Sequence, residues 1–341
     1  MSQRTRVSMS RVPASPRFSH LVRRTALIFT LIAILIVSGG LLVFREADRL
    51  MRVDPLPMQT VVSNIMPPYT QAGFQSLDNQ TDLSGWLFSA KGTPRSTIIL
   101  VHDEQKNRLQ FGLDTPFLYE ALVNLGFNVL AFDLRHSGQS GGTLSAFGYA
   151  EWEDVIAAIA YARKHTSTRN VILYGFGSGS AAVLLALDRL PEAGADLSSL
   201  PKKLRELGFD RSYVRGVLLD TPCMTPDSYI RAHYQDGDTM DRLLLKNTVP
   251  FAVRLSAGHN GSRQLTTILT RLQLPVFLSY SQADSRVGID SIKPLVDERL
   301  RLYPDTTLVH QMERPGSVDG FLKDRTAYLA QLEDYFRRFF D

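Results

Sequence analysis

The sequence predicts an α/β domain built on a doubly wound, mostly parallel sheet with a helical cap, preceded by one transmembrane helix. Three observations predict it. Short, continuously apolar runs such as Thr97–Val101 and Asn128–Phe132 are typical of strands buried on both faces of a parallel sheet. These runs alternate with segments of helical periodicity, as at Trp152, Val155 and Ile156. Near the N-terminus, residues 26–44 form a run of 19 without a charged residue.

The uncharged run is interpreted as an uncleaved membrane anchor. At about 1.5 Å per residue it spans most of a hydrocarbon core of about 30 Å. It is longer than the apolar part of a secretory signal peptide, and no cleavage site of small residues follows it. Six arginines and no acidic residue precede it, which places the N-terminus in the cytoplasm. We therefore expect a single-pass protein of the cell membrane whose body is extracytoplasmic.

These features divide the chain into a basic cytoplasmic tail at 1–25, the transmembrane helix at 26–44, a linker at 45–69 and the α/β domain at 70–341. Residues 221–272 hold helical material before the next predicted strand, and we interpret them as a cap over the strand ends, where such sheets bind ligands. Without the six arginines of the tail, 38 basic and 34 acidic residues become 32 against 34. The body is nearly neutral, which argues against a nucleic-acid partner.

A glycine turn follows the strand predicted at residues 171–174, in Gly175-Phe176-Gly177-Ser178-Gly179. A strand, a tight turn and a helix in this order resemble the nucleophile elbow of the α/β-hydrolase superfamily. Further motifs follow in that family's order: Val101-His102 with Asn107-Arg108, Asp133-Leu134-Arg135, Gly138-Gln139-Ser140-Gly141-Gly142, Ser281-Gln282-Ala283-Asp284 and Pro315-Gly316-Ser317-Val318-Asp319. The resemblance extends from about Phe74 to the C-terminus. It is nearest to the prolyl-oligopeptidase-like and acyl-esterase branch.

The resemblance implies a serine nucleophile, a histidine base, an acid and an oxyanion loop, and this chain departs from that set. The nucleophile position holds Gly177, which has no side chain to attack a substrate. The histidine position holds Ser317, and no histidine lies between it and the C-terminus. Asp284 keeps the acid position. The oxyanion loop carries Asp103 and Glu104, whose carboxylates would repel a developing oxyanion.

These departures predict a membrane-anchored pseudohydrolase that acts in binding or interaction at the cell envelope. Its cleft is expected to take a small molecule or a peptide, or its surface to bind another envelope protein. The alternative is a serine-type hydrolase of esters or amides with a displaced nucleophile. Ser178 is the alternative nucleophile, although a serine at a helix N-terminus is more often a cap. Ser180 is a second, deeper in the first helical turn.

Other chemistries find weaker support in the sequence. The glycines of the elbow do not complete a dinucleotide fingerprint, because the third glycine and the acidic residue after the next strand are missing. We expect no cofactor. The carboxylates of the loops could hold a cation but are interpreted as solvated: Asp103, Glu104, Asp284 and Asp319. The single cysteine, Cys223, has no metal-ligand spacing around it and is expected to be a buried thiol.

Four histidines of the body bear on the choice between these functions. His136 is expected to bond loop backbone, and His310 to pack within a strand. His233 and His259 lie in the predicted cap. Because His259 lies between glycines, it is the one that we expect to reach over the site most easily.

Overall fold

The structure, a computed structural model, describes residues 16–61 and 65–341. Its sheet has eight strands: β1 (Tyr69–Gln75), β2 (Asp82–Phe88), β3 (Thr97–Val101), β4 (Asn128–Phe132), β5 (Val171–Phe176), β6 (Val214–Asp220), β7 (Val276–Ser281) and β8 (Thr307–Met312). The helices are α1 (Pro16–Met51), α2 (Thr115–Asn124), α3 (Trp152–His165), α4 (Ser178–Arg189), α5 (Lys202–Arg205), α6 (Asp227–Ala232), α7 (Lys246–Ser256), α8 (Leu265–Arg271), α9 (Ile289–Leu302), α10 (Gly320–Lys323) and α11 (Arg325–Phe340).

The strands lie in the order β1-β2-β4-β3-β5-β6-β7-β8. β1 pairs antiparallel with β2, and β2 antiparallel with β4, whereas the remaining neighbours are parallel. This is a doubly wound, mostly parallel sheet, as the apolar runs predict. The carboxyl ends of β3, β5, β6, β7 and β8 therefore lie along one edge. The loops that leave this edge carry the predicted site residues.

Helices cover both faces of the sheet, which is why its central strands are continuously apolar. All residues of β3, β4 and β5 are buried. Because side chains alternate along a strand, Ile99 and Leu173 join the core shared with α3, α4, α8 and α9. Ile98 and Ile172 join the core on the opposite face, shared with α2 and α11. Two packed layers hold the elbow between β5 and α4 rigidly in place.

Helix α1 runs without a break from the apolar segment into the body. It includes a stretch that is long and apolar enough to cross a membrane. Its last turns, expected to be linker, are helical as far as Met51, and they bury Val43, Ala47 and Leu50 against the domain. Charged residues on the outer side do not stop the helix, because they pair within it, as Glu46 does with Arg49.

The region predicted as a cap divides into two parts. α8 packs against α4 and α9, so it belongs to the helical layer on the sheet. α6 and α7 pack against each other, and α7 packs against α1. The cap proper is therefore the shorter segment that contains α6, the π-helical turn Asp241–Leu245 and α7. After α4, the connection between β5 and β6 holds the four-residue helix α5 and two short 3-10 turns, Leu197–Ser199 and Arg211–Tyr213.

Candidate functional site

The turn between β5 and α4 has the geometry of a nucleophile elbow. Gly177 links the strand to the helix with φ of 50° and ψ of −122°, a backbone conformation that residues other than glycine rarely adopt. Its neighbours are glycine for another reason. A β-carbon at Gly179 would overlap the carbonyls of Val101 and His102, and one at Gly175 would overlap the backbone of Ser180. The sequence thus keeps the tight turn while the residue at its tip, Gly177, is buried and carries no side chain.

The space at Gly177 is filled by the carboxylate of Asp103. A β-carbon built on Gly177 would overlap both carboxylate oxygens of Asp103. One of them, Oδ1, accepts hydrogen bonds of 2.8 Å from the backbone N–H of Ser178 and of 2.8 Å from that of Glu104. In serine hydrolases the N–H after the nucleophile donates to the oxyanion. Here that N–H, of Ser178, donates to the carboxylate of Asp103 instead.

A compact charge network surrounds this carboxylate. Arg286 Nη1 lies 2.6 Å from Asp103 Oδ2 and 3.5 Å from Glu104 Oε1. On the other side, His233 Nε2 lies 3.0 Å from Glu104 Oε2. The two acidic side chains are almost fully buried, so each needs a cationic partner. The network brings together the oxyanion loop, the acid loop and the cap.

The pKa values of three members of the network, Glu104, His233 and Arg286, are all raised. Burial raises the pKa of the Glu104 carboxyl above its usual range. Burial also opposes the charge of His233, but its hydrogen bond and ion pair with Glu104 prevail and raise the pKa of the imidazole. For Arg286, burial is likewise outweighed by Asp103 and Glu104, so its pKa is raised further. The contact with Glu104 therefore favours the protonated form of the His233 imidazole.

Asp284, at the acid position, shapes the loop that presents Arg286. Its Oδ1 accepts the backbone N–H groups of Arg286, Val287 and Gly288 at 3.0, 2.7 and 3.2 Å. Its Oδ2 is buried and has no hydrogen-bond partner among residues 16–61 and 65–341. One oxygen of the Asp284 carboxyl thus shapes the loop, and the other is left without a partner in the described part of the chain.

The loop at the histidine position is tied to the sheet through its backbone. The backbone N–H of Val318 donates to Thr221 Oγ1 at 3.1 Å, and both β-branched residues have positive φ, 55° and 56°. Within the described chain, the buried Ser317 Oγ has no hydrogen-bond partner. Asp319 pairs with Lys323. The strained loop holds Ser317 at the site, but its hydroxyl is no base.

Beneath the elbow lies a buried carboxyl that the sequence reasoning did not single out. Asp220 ends β6, and its side chain accepts hydrogen bonds from Tyr328 at 2.6 Å and from Thr221 at 3.1 Å. Burial, only partly offset by these hydrogen bonds, raises the pKa of Asp220 to about 7. Tyr328 in turn bonds the hydroxyl of Tyr174. An acidic residue at the end of an apolar strand was the available signal for this group.

His102 holds the oxyanion loop and is not free to act as a base. Its Nε2 accepts the backbone N–H of Leu134 at 2.9 Å, so its Nδ1 carries the proton and donates to the carbonyl of Asp103 at 2.7 Å. Burial lowers the pKa of His102, which keeps the ring neutral. Further along the loop, Arg108 forms a fully buried ion pair with Asp133 at 2.7 Å.

The serines next to the elbow differ in their surroundings. Ser180 is fully buried, and its Oγ donates to the carbonyl of Gly175 at 2.9 Å. Ser178 is the first residue of α4, with 4% of its surface exposed. The helix cap position belongs to Gly177, so Ser178 does not cap α4 as expected. Both serines are therefore buried, Ser178 slightly less completely than Ser180.

The histidine that contacts the site residues is His233, not the more flexible His259. The Nε2 of His259 hydrogen-bonds the backbone carbonyl of Tyr149 at 2.9 Å, which fixes the ring. His310 lies in β8, edge-on to Tyr328. The backbone N–H of His136 bonds the carbonyl of Gly141 within the loop after β4. Cys223 is fully buried, and burial raises the pKa of its thiol.

The carboxylates that the sequence offers as cation ligands have other partners. Asp103 and Glu104 pair with Arg286, whereas Asp319 pairs with Lys323. Over the residues that the structure describes, no group of three or more His, Cys, Asp or Glu side chains is arranged to hold a metal ion.

Solved structures identify the fold. An esterase from Pyrococcus furiosus superimposes with a TM-score of 0.63 at 17% identity, covering 85% of this chain and 100% of that one. The fold is that of the α/β-hydrolases. A second neighbour is an esterase from Exiguobacterium antarcticum, with a TM-score of 0.53 at 14% identity, covering 79% of this chain and 100% of the other.

Sequence comparison adds one curated relative. The uncharacterized protein YqkD of Bacillus subtilis is 23% identical over 259 residues, which are 74% of this chain and 77% of the relative. No family model matches the sequence. At these identities the likeness establishes the α/β-hydrolase fold, and the chemistry of the site depends on its own residues.

Proposed function

We propose that this chain is a membrane-anchored pseudohydrolase: an α/β-hydrolase-fold protein that binds at the cell envelope and does not hydrolyse. The observation that carries the proposal is the position of Asp103. Its carboxylate fills the space of a nucleophile side chain and accepts the backbone N–H of Ser178 that would serve an oxyanion. A site that already holds a negative charge at this donor cannot stabilise a second one there.

The charge network supports the same proposal. Arg286 and His233 neutralise Asp103 and Glu104, which leaves the network with no free base. Removing the nucleophile or the base of a serine triad costs about 10⁶-fold in rate, and both positions differ here. In the described chain, Ser317 does not hydrogen-bond the unpaired oxygen of Asp284. These features favour a binding role for a small molecule, a peptide or another envelope protein.

The membrane location rests on α1 and on the arginines before it. One stretch of α1 is long and apolar enough to span a bilayer, and the six arginines that precede residues 26–44 favour a cytoplasmic N-terminus. We propose a single-pass anchor with the domain on the extracytoplasmic side. The buried contacts of Val43 and Ala47 then join the anchor directly to the folded body.

The second candidate is a hydrolase of esters with a displaced nucleophile. Both structural neighbours are described as esterases, and Ser178 directly follows Gly177 at the elbow, although only 4% of its surface is exposed. For this function Asp103 would have to leave the donor, and a base would have to approach Ser178. His233 is the histidine of the network, but it is bound to Glu104.

The deciding experiment is labelling of the full chain in detergent micelles with a fluorophosphonate probe, together with turnover of short-chain acyl esters. We expect neither labelling nor turnover. The Ser178→Ala variant is the control for a displaced nucleophile, and Ser180→Ala is its buried counterpart. Labelling of the native chain that disappears in Ser178→Ala would establish the hydrolase and refute the pseudohydrolase.

A further inference from the structure

The cap carries an apolar face that no part of the described chain covers. Its five members are exposed by 37% to 73%: Met240, Leu243, Leu244, Phe251 and Leu255. Met240 directly precedes the π-helical turn, and Met240, Leu244, Phe251 and Leu255 are spaced four or seven residues apart, with Leu243 beside Leu244. We call this set the apolar cap face. Spacing of this kind places the side chains on one side of a helix.

The opposite side of the same helix is also apolar, and it faces the domain. Leu245, Val249, Ala252 and Val253 are buried in the core there. A helix at the surface of a water-soluble domain normally turns a polar face outward. A cluster of exposed apolar side chains marks a surface that contacts a partner or a lipid bilayer, and here exposed Asn247 is the polar residue among them. The apolar cap face therefore needs an occupant.

The packing of α7 against α1 identifies that occupant. The residues of α1 that the domain buries begin at Val43, which lies within the uncharged run 26–44. If this run spans the hydrocarbon core, the helix that packs on its last turn lies at the membrane surface. Exposed Arg242, next to Leu243, can place its guanidinium among lipid headgroups while the leucines reach deeper.

We propose that the apolar cap face lies in the interfacial layer of the bilayer that α1 spans, with its side chains in contact with lipid acyl chains. The inference rests on the proposed membrane anchor. It gives the cap a second attachment to the membrane besides α1. It also places His233, which lies between α6 and α7 and contacts Glu104, within a segment held against lipid.

The test is nitroxide labelling, in phospholipid vesicles, of variants of the full chain that each carry one added cysteine besides native Cys223. Accessibility is read with oxygen, which concentrates in lipid, and with a water-soluble nickel chelate. Phe251→Cys reports the apolar cap face. Leu302→Cys is the matched control, since Leu302 is similarly exposed, at 41% against 49%, but lies before β8 at the opposite edge of the sheet. Because native Cys223 is fully buried, labelling of the native chain gives the background signal.

We expect the label at 251 to be more accessible to oxygen than to nickel, and the label at 302 to show the reverse. Leu35→Cys separates the two proposals, because residue 35 lies within the uncharged run. Oxygen access at 35 with nickel access at 251 would overturn the inference and leave the anchor intact. A label at 251 reached by neither reagent would indicate a protein contact and also overturn it. Nickel access at 35 would refute the anchor and the inference together.

Discussion

Asp103 lies where the side chain of residue 177 would be if that residue were not glycine. Asp103 lies in the loop after β3, and Gly177 lies in the turn after β5. The presence of one residue accounts for the presence of the other. Glycine at 177 leaves room for the carboxylate, and the carboxylate bonds the backbone N–H that follows the glycine. The elbow is thereby stabilised in its tight conformation with no side chain at residue 177.

Arg286 is predicted to be the main electrostatic support of the site. Arg286→Gln would leave the buried carboxylates of Asp103 and Glu104 with His233 as their cationic partner. Breaking a buried pair in this way costs about 3 kcal/mol of the free energy of unfolding. Thermal melts of the native chain and the variant in detergent measure this loss of stability. The control is Arg301→Gln, which removes an exposed pair with Glu298 and should cost about 0–1 kcal/mol. Equal losses in the two variants would contradict the role of Arg286.

Asp220 is predicted to make stability fall as the pH rises. Burial raises the pKa of Asp220 from 3.8 to about 7, so between these values the folded state holds a proton that the unfolded state has lost. The free energy of unfolding therefore decreases from about pH 4 to about pH 7, by roughly 4 kcal/mol at most, and is level above that range. Asp220→Asn should melt progressively higher relative to the native chain as the pH rises. A difference that stays constant between pH 4 and 8 would show that Asp220 does not titrate in this range.

The junction of α1 and the cap is predicted to be tightly packed. Ala47 is fully buried on the side of α1 that meets the domain. Ala47→Leu adds side-chain atoms to that contact and should cost about 1–3 kcal/mol. Arg45→Leu, on the exposed side of the same helix, is the control and should change the melting temperature little. If both variants melt like the native chain, the end of α1 is not docked on the domain.

The sequence predicts the sheet well because its strands are buried on both faces. Residues 97–101 and 128–132 are continuously apolar, and the structure begins and ends β3 and β4 at those residues. The length of α1 is harder to predict, because Arg45, Glu46 and Asp48 resemble a linker. The spacing of Val43, Ala47 and Leu50 on one helical face was the signal for its continuation.

The partners of the site carboxylates could not be derived from the sequence. Arg286 follows the acid position by two residues, but nothing in the sequence shows that its side chain crosses to the loop after β3. His233 and His259 both lie in the predicted cap, and the glycines around His259 made it the expected histidine of the site. The structure brings His233 there instead, because the packing of α6 decides which histidine reaches Glu104. Tertiary packing alone brings Glu104 and His233 together.

The most direct test of the central claim is a double-mutant cycle between positions 103 and 177, read as the free energy of unfolding in detergent. Gly177→Ala should destabilise the chain through its positive φ and through overlap with the Asp103 carboxylate. In the Asp103→Ala background the strain of φ remains but the overlap is gone. We predict that the cost of Gly177→Ala falls by about 1–3 kcal/mol there. Costs that agree within about 0.5 kcal/mol in the two backgrounds would mean that the carboxylate does not fill the nucleophile's place, and the site would be open.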